Sequence, residues 1–150
     1  MAVRMLARRP LSEGEMAIRL AGKGVPEPVV AGTVARLREL GLLDDAALCR
    51  QLAGSWQEGR RYGPAKIARN LAARRFPRGM VEAVLREVSP AAAVAAAAAA
   101  ALRKRFRGGI PPGRENAAKA YRFLAGRGFP PEVCRAAVGR LASDTPEGDD

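Results

Sequence analysis

The sequence predicts an all-α fold: a tandem repeat of three three-helix modules forming an elongated, curved array. Three observations lead there. The turn LAGKGVP (Leu20–Pro26) returns as LAARRFP (Leu71–Pro77) and LAGRGFP (Leu124–Pro130), at offsets of 51 and 53 residues, which marks a repeated supersecondary unit. Around each turn apolar residues recur every three to five positions, the period of an amphipathic helix, without the alternation of a strand. Finally, 48% of the 150 residues are hydrophobic but only 5% are aromatic, so the interior must be built from aliphatic and alanine contacts between closely approaching helices.

The first module spans about residues 1–42. A short helix over residues 2–7 precedes Ser12-Glu13-Gly14-Glu15, a capping box that starts the next helix because hydroxyl and carboxylate each satisfy an orphan amide. Gly24 supplies the left-handed residue that ends this helix, and Pro26 forces Val25 out of the α region. Val29, Val34 and Leu37 then set the apolar face of a third helix.

The second module, residues 44–88, opens with Asp44 or Asp45 as N-cap of a helix carrying Leu48, Leu52 and Trp56. Ile67, Leu71, Phe76, Met80, Leu85 and Val88 repeat the apolar positions Met16, Leu20, Val25, Val29, Val34 and Leu37. Arg75 stands where the other copies have Gly24 and Gly128. A left-handed backbone costs a residue with a Cβ about 1–2 kcal/mol, so a different turn is expected there.

The third module, residues 90–142, begins at Ser89-Pro90 with an Ala-rich helix expected to run to Gly108, since alanine has the highest helix propensity. A Gly- and Pro-rich link, residues 108–113, joins it to the last helix pair, where Ala120, Leu124, Phe129, Val133, Val138 and Leu141 repeat the pattern. Residues 143–150 read as a disordered acidic tail. Modules this small must pack on their neighbours to bury enough surface.

Charge is unevenly distributed. The 26 Lys and Arg against 15 Asp and Glu give a net charge of +11, which favours a polyanion or an acidic protein surface as partner. Residues 1–45 carry seven basic and six acidic groups, residues 46–90 nine and three, and residues 91–143 ten and two. The positive field therefore belongs to the last two thirds. Lys66 and Arg69 project from the face opposite the apolar stripe of their helix, and a shift of 53 residues places Lys119 and Arg122 identically, while the first copy has Glu15 and Ile18. Two runs add basic groups beside an aromatic: Arg60 and Arg61 next to Tyr62, and Arg103, Lys104 and Arg105 next to Phe106. Those rings either close the module cores or lie free to stack on bases. Lys23, Arg74 and Arg127, just before each turn, either complement a helix C-terminus, worth about 0.3–1 kcal/mol, or contact a ligand.

Catalytic chemistry is not expected. The chain has no histidine, no phosphate-binding GxxxxGK[ST] loop, and serines without a base partner. Cys49 and Cys134 lack metal-ligand spacing and read as reduced core thiols. No metal or cofactor is expected. Arg4, Arg8 and Arg9 interrupt any signal-peptide core, and the longest apolar run falls short of the roughly 20 residues that span a bilayer. A cytoplasmic protein, monomeric and without membrane association, is the expectation. The first module also has the shape of a helix-turn-helix, so a transcriptional regulator acting on duplex DNA is the rival reading. Against it, the first turn of its second helix offers Pro26, Glu27, Pro28 and Gly32, poor groups for base edges. A third class is an adaptor for another acidic protein.

The segments LARRPLSEGEMAIRLAGKGVP, LRELGLLDDAAL, GRRYGPAKIARNLAARRFP and KAYRFLAGRGFPPEV, in this order over residues 4–141, resemble the RecX family of bacterial recombination regulators. The resemblance implies a non-enzymatic protein of tandem three-helix repeats that binds the groove of the RecA nucleoprotein filament. It implies inhibition of RecA ATP hydrolysis, strand exchange and coprotease activity, in homologous recombination and the SOS response. On that reading the filament-binding set is Lys66, Arg69, Lys119 and Arg122, with Arg60, Arg61, Arg74, Arg127, Arg103, Lys104 and Arg105 contributing. Direct contacts with single- or double-stranded DNA would be weak and nonspecific. The departures from the family pattern are Arg75 in place of the turn glycine and the unusually Ala-rich helix.

Overall fold

Helix follows helix along the whole of the computed structural model, which describes residues 1–144. Among them are nine helices and no strand: α1 (Ala2–Arg8), α2 (Glu13–Gly22), α3 (Glu27–Glu39), α4 (Asp45–Glu58), α5 (Pro64–Ala73), α6 (Arg78–Val88), α7 (Ala91–Arg105), α8 (Arg114–Gly126) and α9 (Pro131–Asp144). The expected acidic tail falls mostly outside the described residues, but Ser143 and Asp144 belong to α9.

Each group of three helices buries its own core. Met16, Leu20, Val30 and Leu37 centre the first, Ile67, Leu71, Phe76, Val81 and Val84 the second, and Ala98, Leu102, Leu124, Phe129 and Cys134 the third. The extensive helix–helix contacts all fall within a group: α2 on α3, α4 on α5 and α6, α7 on α8 and α9.

Local signals act where the sequence places them. Ser12 caps α2 with both bonds of the capping box, and Asp44 caps α4 by accepting from the Ala47 amide. Gln57, buried in α4, donates to the Val88 carbonyl at 2.9 Å and accepts from the Ser89 hydroxyl at 2.7 Å, so it ties the exit of α6 to the entry of α7. The first group is the thinnest, because α1 is 7 residues long and buries none of them. In every copy the residue after the predicted one takes the core position, Val30, Val81 and Cys134, but only in the first is the predicted one laid open, with Val29 53% exposed where Met80 and Val133 are half-buried. Met80 packs against the α4 core and Val133 against α7, whereas α3 has no long third helix over it.

Two further expectations need correction. The Ala-rich helix α7 stops at Arg105, not at Gly108, because Phe106 leaves the helix to set its ring edge-on to Phe123 at 6.3 Å. The turn at Arg75 is not different from the others. Arg75 adopts φ +66° beside Gly24 at +83° and Gly128 at +94°. Its amide donates to the Ala72 carbonyl and the Phe76 amide to Leu71, as Gly24 does to Ala21 and Gly128 to Ala125.

Docking of the preceding module holds this strained residue. The Ser12 hydroxyl donates to the Arg74 carbonyl at 2.6 Å, and a Cβ on Gly14 would lie 2.6 Å from the Arg75 Cβ. The missing side chain of Gly14 is the space that Arg75 occupies. At the next junction the roles are exchanged: Gly128 lacks the Cβ, and that atom would meet the Lys66 amide nitrogen at 2.4 Å and Cβ at 2.6 Å. The rule at each junction is close backbone approach at a residue without a Cβ, and Gly63 obeys it too, since its Cβ would lie 2.4 Å from the Gly128 carbonyl.

A double-mutant cycle in urea tests that rule. Gly14→Ala should destabilise by about 2 kcal/mol despite alanine's better helix propensity. Arg75→Gly should relieve about 1 kcal/mol of backbone strain. The double variant should recover part of the Gly14→Ala loss, because the Arg75 carbonyl oxygen would still lie 2.8 Å from the new Cβ, with a coupling of about 1 kcal/mol; simple additivity would contradict the shared space.

Candidate polyanion interface

The two junctions are built from the same parts and use two of the basic residues singled out above. At the first, Arg74 donates to both Glu15 carboxylate oxygens, Nη2 to Oε1 at 2.9 Å, and to the Pro10 carbonyl at 2.8 Å. The pair is nearly enclosed, with side chains 18% and 12% exposed. Arg9 adds a second guanidinium 3.0 Å from Glu15. The amide of Glu13 donates to Asp45 at 2.9 Å, and the Glu13 carboxylate pairs with Arg38. Burial holds the Asp45 carboxyl above its ordinary range.

At the second junction the amides of Gly63 and Ala65 donate to the Arg127 and Gly128 carbonyls at 2.7 and 3.2 Å. The Arg127 guanidinium bonds the carbonyls of Arg60 and Arg61 and lies 5.1 Å from the Tyr62 ring and 5.5 Å from Phe123. The Lys66 ammonium covers Tyr62 at 4.3 Å. Arg74 and Arg127 are therefore clamps between modules, a role that the sequence reading did not foresee. Tyr62 and Phe106 pack against the module cores, with cations laid on their faces.

Docking brings other predicted cations together. Arg60 and Arg61 from the α4–α5 link, Lys104 and Arg105 from the end of α7, and Arg127 surround one crevice of about 400 Å³ with Phe123 in its wall. No carboxylate of the described residues lines it. Arg103 faces away from this group, lining the α7–α9 crevice with Arg140 and Glu132. Arg122 borders a shallow groove between α8 and α9 with Tyr121 and Arg135. Arg69 and Lys119 are exposed, whereas Lys66 is half-buried at the junction.

The ion pairs explain where the positive field survives. Every pair among the described residues lies between Arg9 and Glu87, and none involves α7, α8 or α9. In the first module Glu13, Glu15 and Glu39 pair with Arg38, with Arg9 and Arg74, and with Arg36, so its potential is locally cancelled. The cations of the third module have no such partners among the described residues. Both thiols are buried, and that burial pushes Cys49 and Cys134 up, away from a reactive thiolate.

Sequence reasoning assigned Glu13 and Glu15 to the helix dipole and missed their pairing across the junction. One signal was there: Glu15 is the acid among the three aligned positions, where Lys66 and Lys119 stand in the other copies.

A model described as the first three-helix domain of RecX matches residues 1–37, and one described as the third matches residues 94–138. A "Regulatory protein RecX" of Thermus thermophilus is 39% identical over 147 residues, covering 98% of this chain and 93% of its own. That of Halorhodospira halophila is 33% identical, covering 98% and 89%. The crystal structure of RecX from Lactobacillus salivarius superposes with a TM-score of 0.80 at 17% identity, covering 93% of this chain and 91% of that one. A second crystal structure, of "regulatory protein RecX", gives 0.75 at 22% identity over 91% and 70%. These two establish the likeness of fold.

The first junction has a defined pH response. Burial alone would raise the Glu15 carboxyl, but hydrogen bonds from Arg74 and the Ser12 amide and the charges of Arg74 and Arg9 outweigh it and hold the pKa below its ordinary 4.5. A lowered folded pKa means that the stabilisation is full above the unfolded value and lost as pH falls through the folded one. Glu15→Gln should therefore cost about 1.5–3 kcal/mol at neutral pH, and urea melts of variant and parent should converge as pH falls below the ordinary carboxylate value of 4.5 and through the lowered folded one. A gap of constant size across that range would contradict the charge pairing.

Proposed function

This chain belongs to the RecX family of regulatory proteins, and from that premise we propose that it is a non-enzymatic regulator that binds the RecA nucleoprotein filament along its groove and restrains RecA. The observation that carries the reading is the uncompensated charge of the third module, whose exposed Lys119 and Arg122 lie on α8 where α5 carries Lys66 and Arg69. A helical array with one neutral module and two cationic ones suits an elongated partner that alternates acidic protein surface with phosphate. A groove-bound array restrains strand exchange by occupying the path that the second DNA strand must take, and restrains ATP hydrolysis by bridging neighbouring RecA protomers along the filament.

The rival reading, a helix-turn-helix regulator of duplex DNA, is less well supported. The α2–α3 pair has the right shape, but Pro26, Glu27, Pro28 and Val29 form the exposed entry of α3, and the module around it is close to neutral. Base readout needs Arg, Asn or Gln on that turn.

Titration of RecA ATPase on single-stranded DNA tests the proposal. The parent should inhibit at substoichiometric concentration. The charge-reversed variant Lys66→Glu, Arg69→Glu, Lys119→Glu, Arg122→Glu should be at least about tenfold weaker, the size expected when close charge pairs worth about 1.4 kcal/mol or more are removed. Because Lys66 also packs at a junction, the triple variant sparing it must show the same loss. Full inhibition by the folded triple variant would remove these residues from the mechanism.

A further inference from the structure

The crevice at the second junction is more than a share of the general field. It draws Arg60 and Arg61 from one module and Lys104, Arg105 and Arg127 from the next around a single space of about 400 Å³, with no acid of the described residues in its lining. Arg127 is fixed in its floor by the two carbonyls it bonds. The side chains of Arg60, Arg61 and Lys104 have no ion pair or hydrogen bond among the described residues.

Two features of this cluster work against stability. Like charges gathered in a crevice repel more strongly than on an open surface, where water and salt screen them. Arg61 also sits at φ +55°, one of two non-glycine residues in the left-handed region. The other, Arg75, is held by the docked Gly14 and Ser12, and glycine would serve at 61 with less strain. A cation kept at a strained position, facing other cations and with no side-chain partner among the described residues, marks a place where a ligand would be bound.

We propose that this crevice is a site for consecutive phosphates of a single nucleic-acid strand, which staple the second module to the third. The chemistry selects phosphate: four cations around a fixed fifth balance several closely spaced negative charges, and guanidinium forks match phosphate oxygens in pairs. The volume selects a strand over a duplex, since about 400 Å³ admits a few phosphates of one backbone and not the width of a double helix. The proposal does not depend on RecA and is tested without it.

The experiment is fluorescence anisotropy of a labelled oligothymidylate with the full chain at several salt concentrations. Arg61→Gly combined with Lys104→Gln should weaken binding at least about tenfold and reduce the slope of log affinity against log salt by about 1.4, that is about 0.7 for each phosphate no longer neutralised. Arg86→Gln, an exposed cation of α6, should bind like the parent. Arg61→Gly alone should weaken binding while raising Tm by about 2–4 °C, an outcome that a merely structural residue would not give. Inorganic tripolyphosphate should displace the oligonucleotide where sodium sulfate of equal ionic strength does not. Parent-like binding by the double variant, an equal loss from Arg86→Gln, displacement by sulfate alone, or equal affinity for a duplex of the same length would each overturn the proposal.

Discussion

The array depends on one kind of contact: the carbonyls in the turn inside one helix pair receive the start of a helix from the module before. A helix leaves orphan amides at its N-terminus and orphan carbonyls at its C-terminus, and each normally needs a cap or water. At the second junction the first amides of α5, from Gly63 and Ala65, donate to the carbonyls of Arg127 and Gly128 beyond the end of α8. At the first, Ser12 keeps its capping box for its own helix and donates its hydroxyl proton to the Arg74 carbonyl. The positive end of one helix meets the negative end of another, which adds a favourable dipole interaction. The left-handed turn thus ends a helix and presents a socket in the same few atoms.

This dual use explains what was legible in the sequence. The local signals act within one element, so the capping box at Ser12, the Asp44 cap and the glycines of two turns could be read from residue type and spacing. The repeat itself showed the helix pairs, because the same apolar spacing surrounds each turn. What the sequence concealed were contacts across more than fifty residues. The strain at Arg75 was visible, but the Gly14 that makes room for it lies in another module, so the turn was expected to change when it does not. Exposure of Val29 likewise depends on the shortness of α1, which the periodicity of α3 cannot report.

Among the candidate binding residues the same distinction applies. Residue type identified a cationic set but could not separate those that hold the protein together from those left for a partner. Arg74 and Arg127 occupy equivalent places before their turns and are taken up by the junctions, one on a carboxylate and one on carbonyls and rings. The difference follows from the residue opposite: Glu15 in the first module becomes Lys66 in the second. With a lysine there, Arg127 has no acid to meet and turns to neutral acceptors, so the second junction is assembled without cancelling charge.

Segregation of charge along the array follows from that one replacement and its neighbours. Where acids line the junction, the module beside it is neutral and its cohesion is sensitive to acid. Where lysine replaces the acid, cohesion rests on backbone bonds and cation–ring contacts, which leave the formal charge intact. The second junction therefore keeps its shape against mutual repulsion among Arg60, Arg61, Lys104 and Arg105, and any multivalent anion that enters relieves it. Binding and folding are linked there by the same electrostatic term, so the stiffness of the last two modules relative to each other becomes a function of what lies between them.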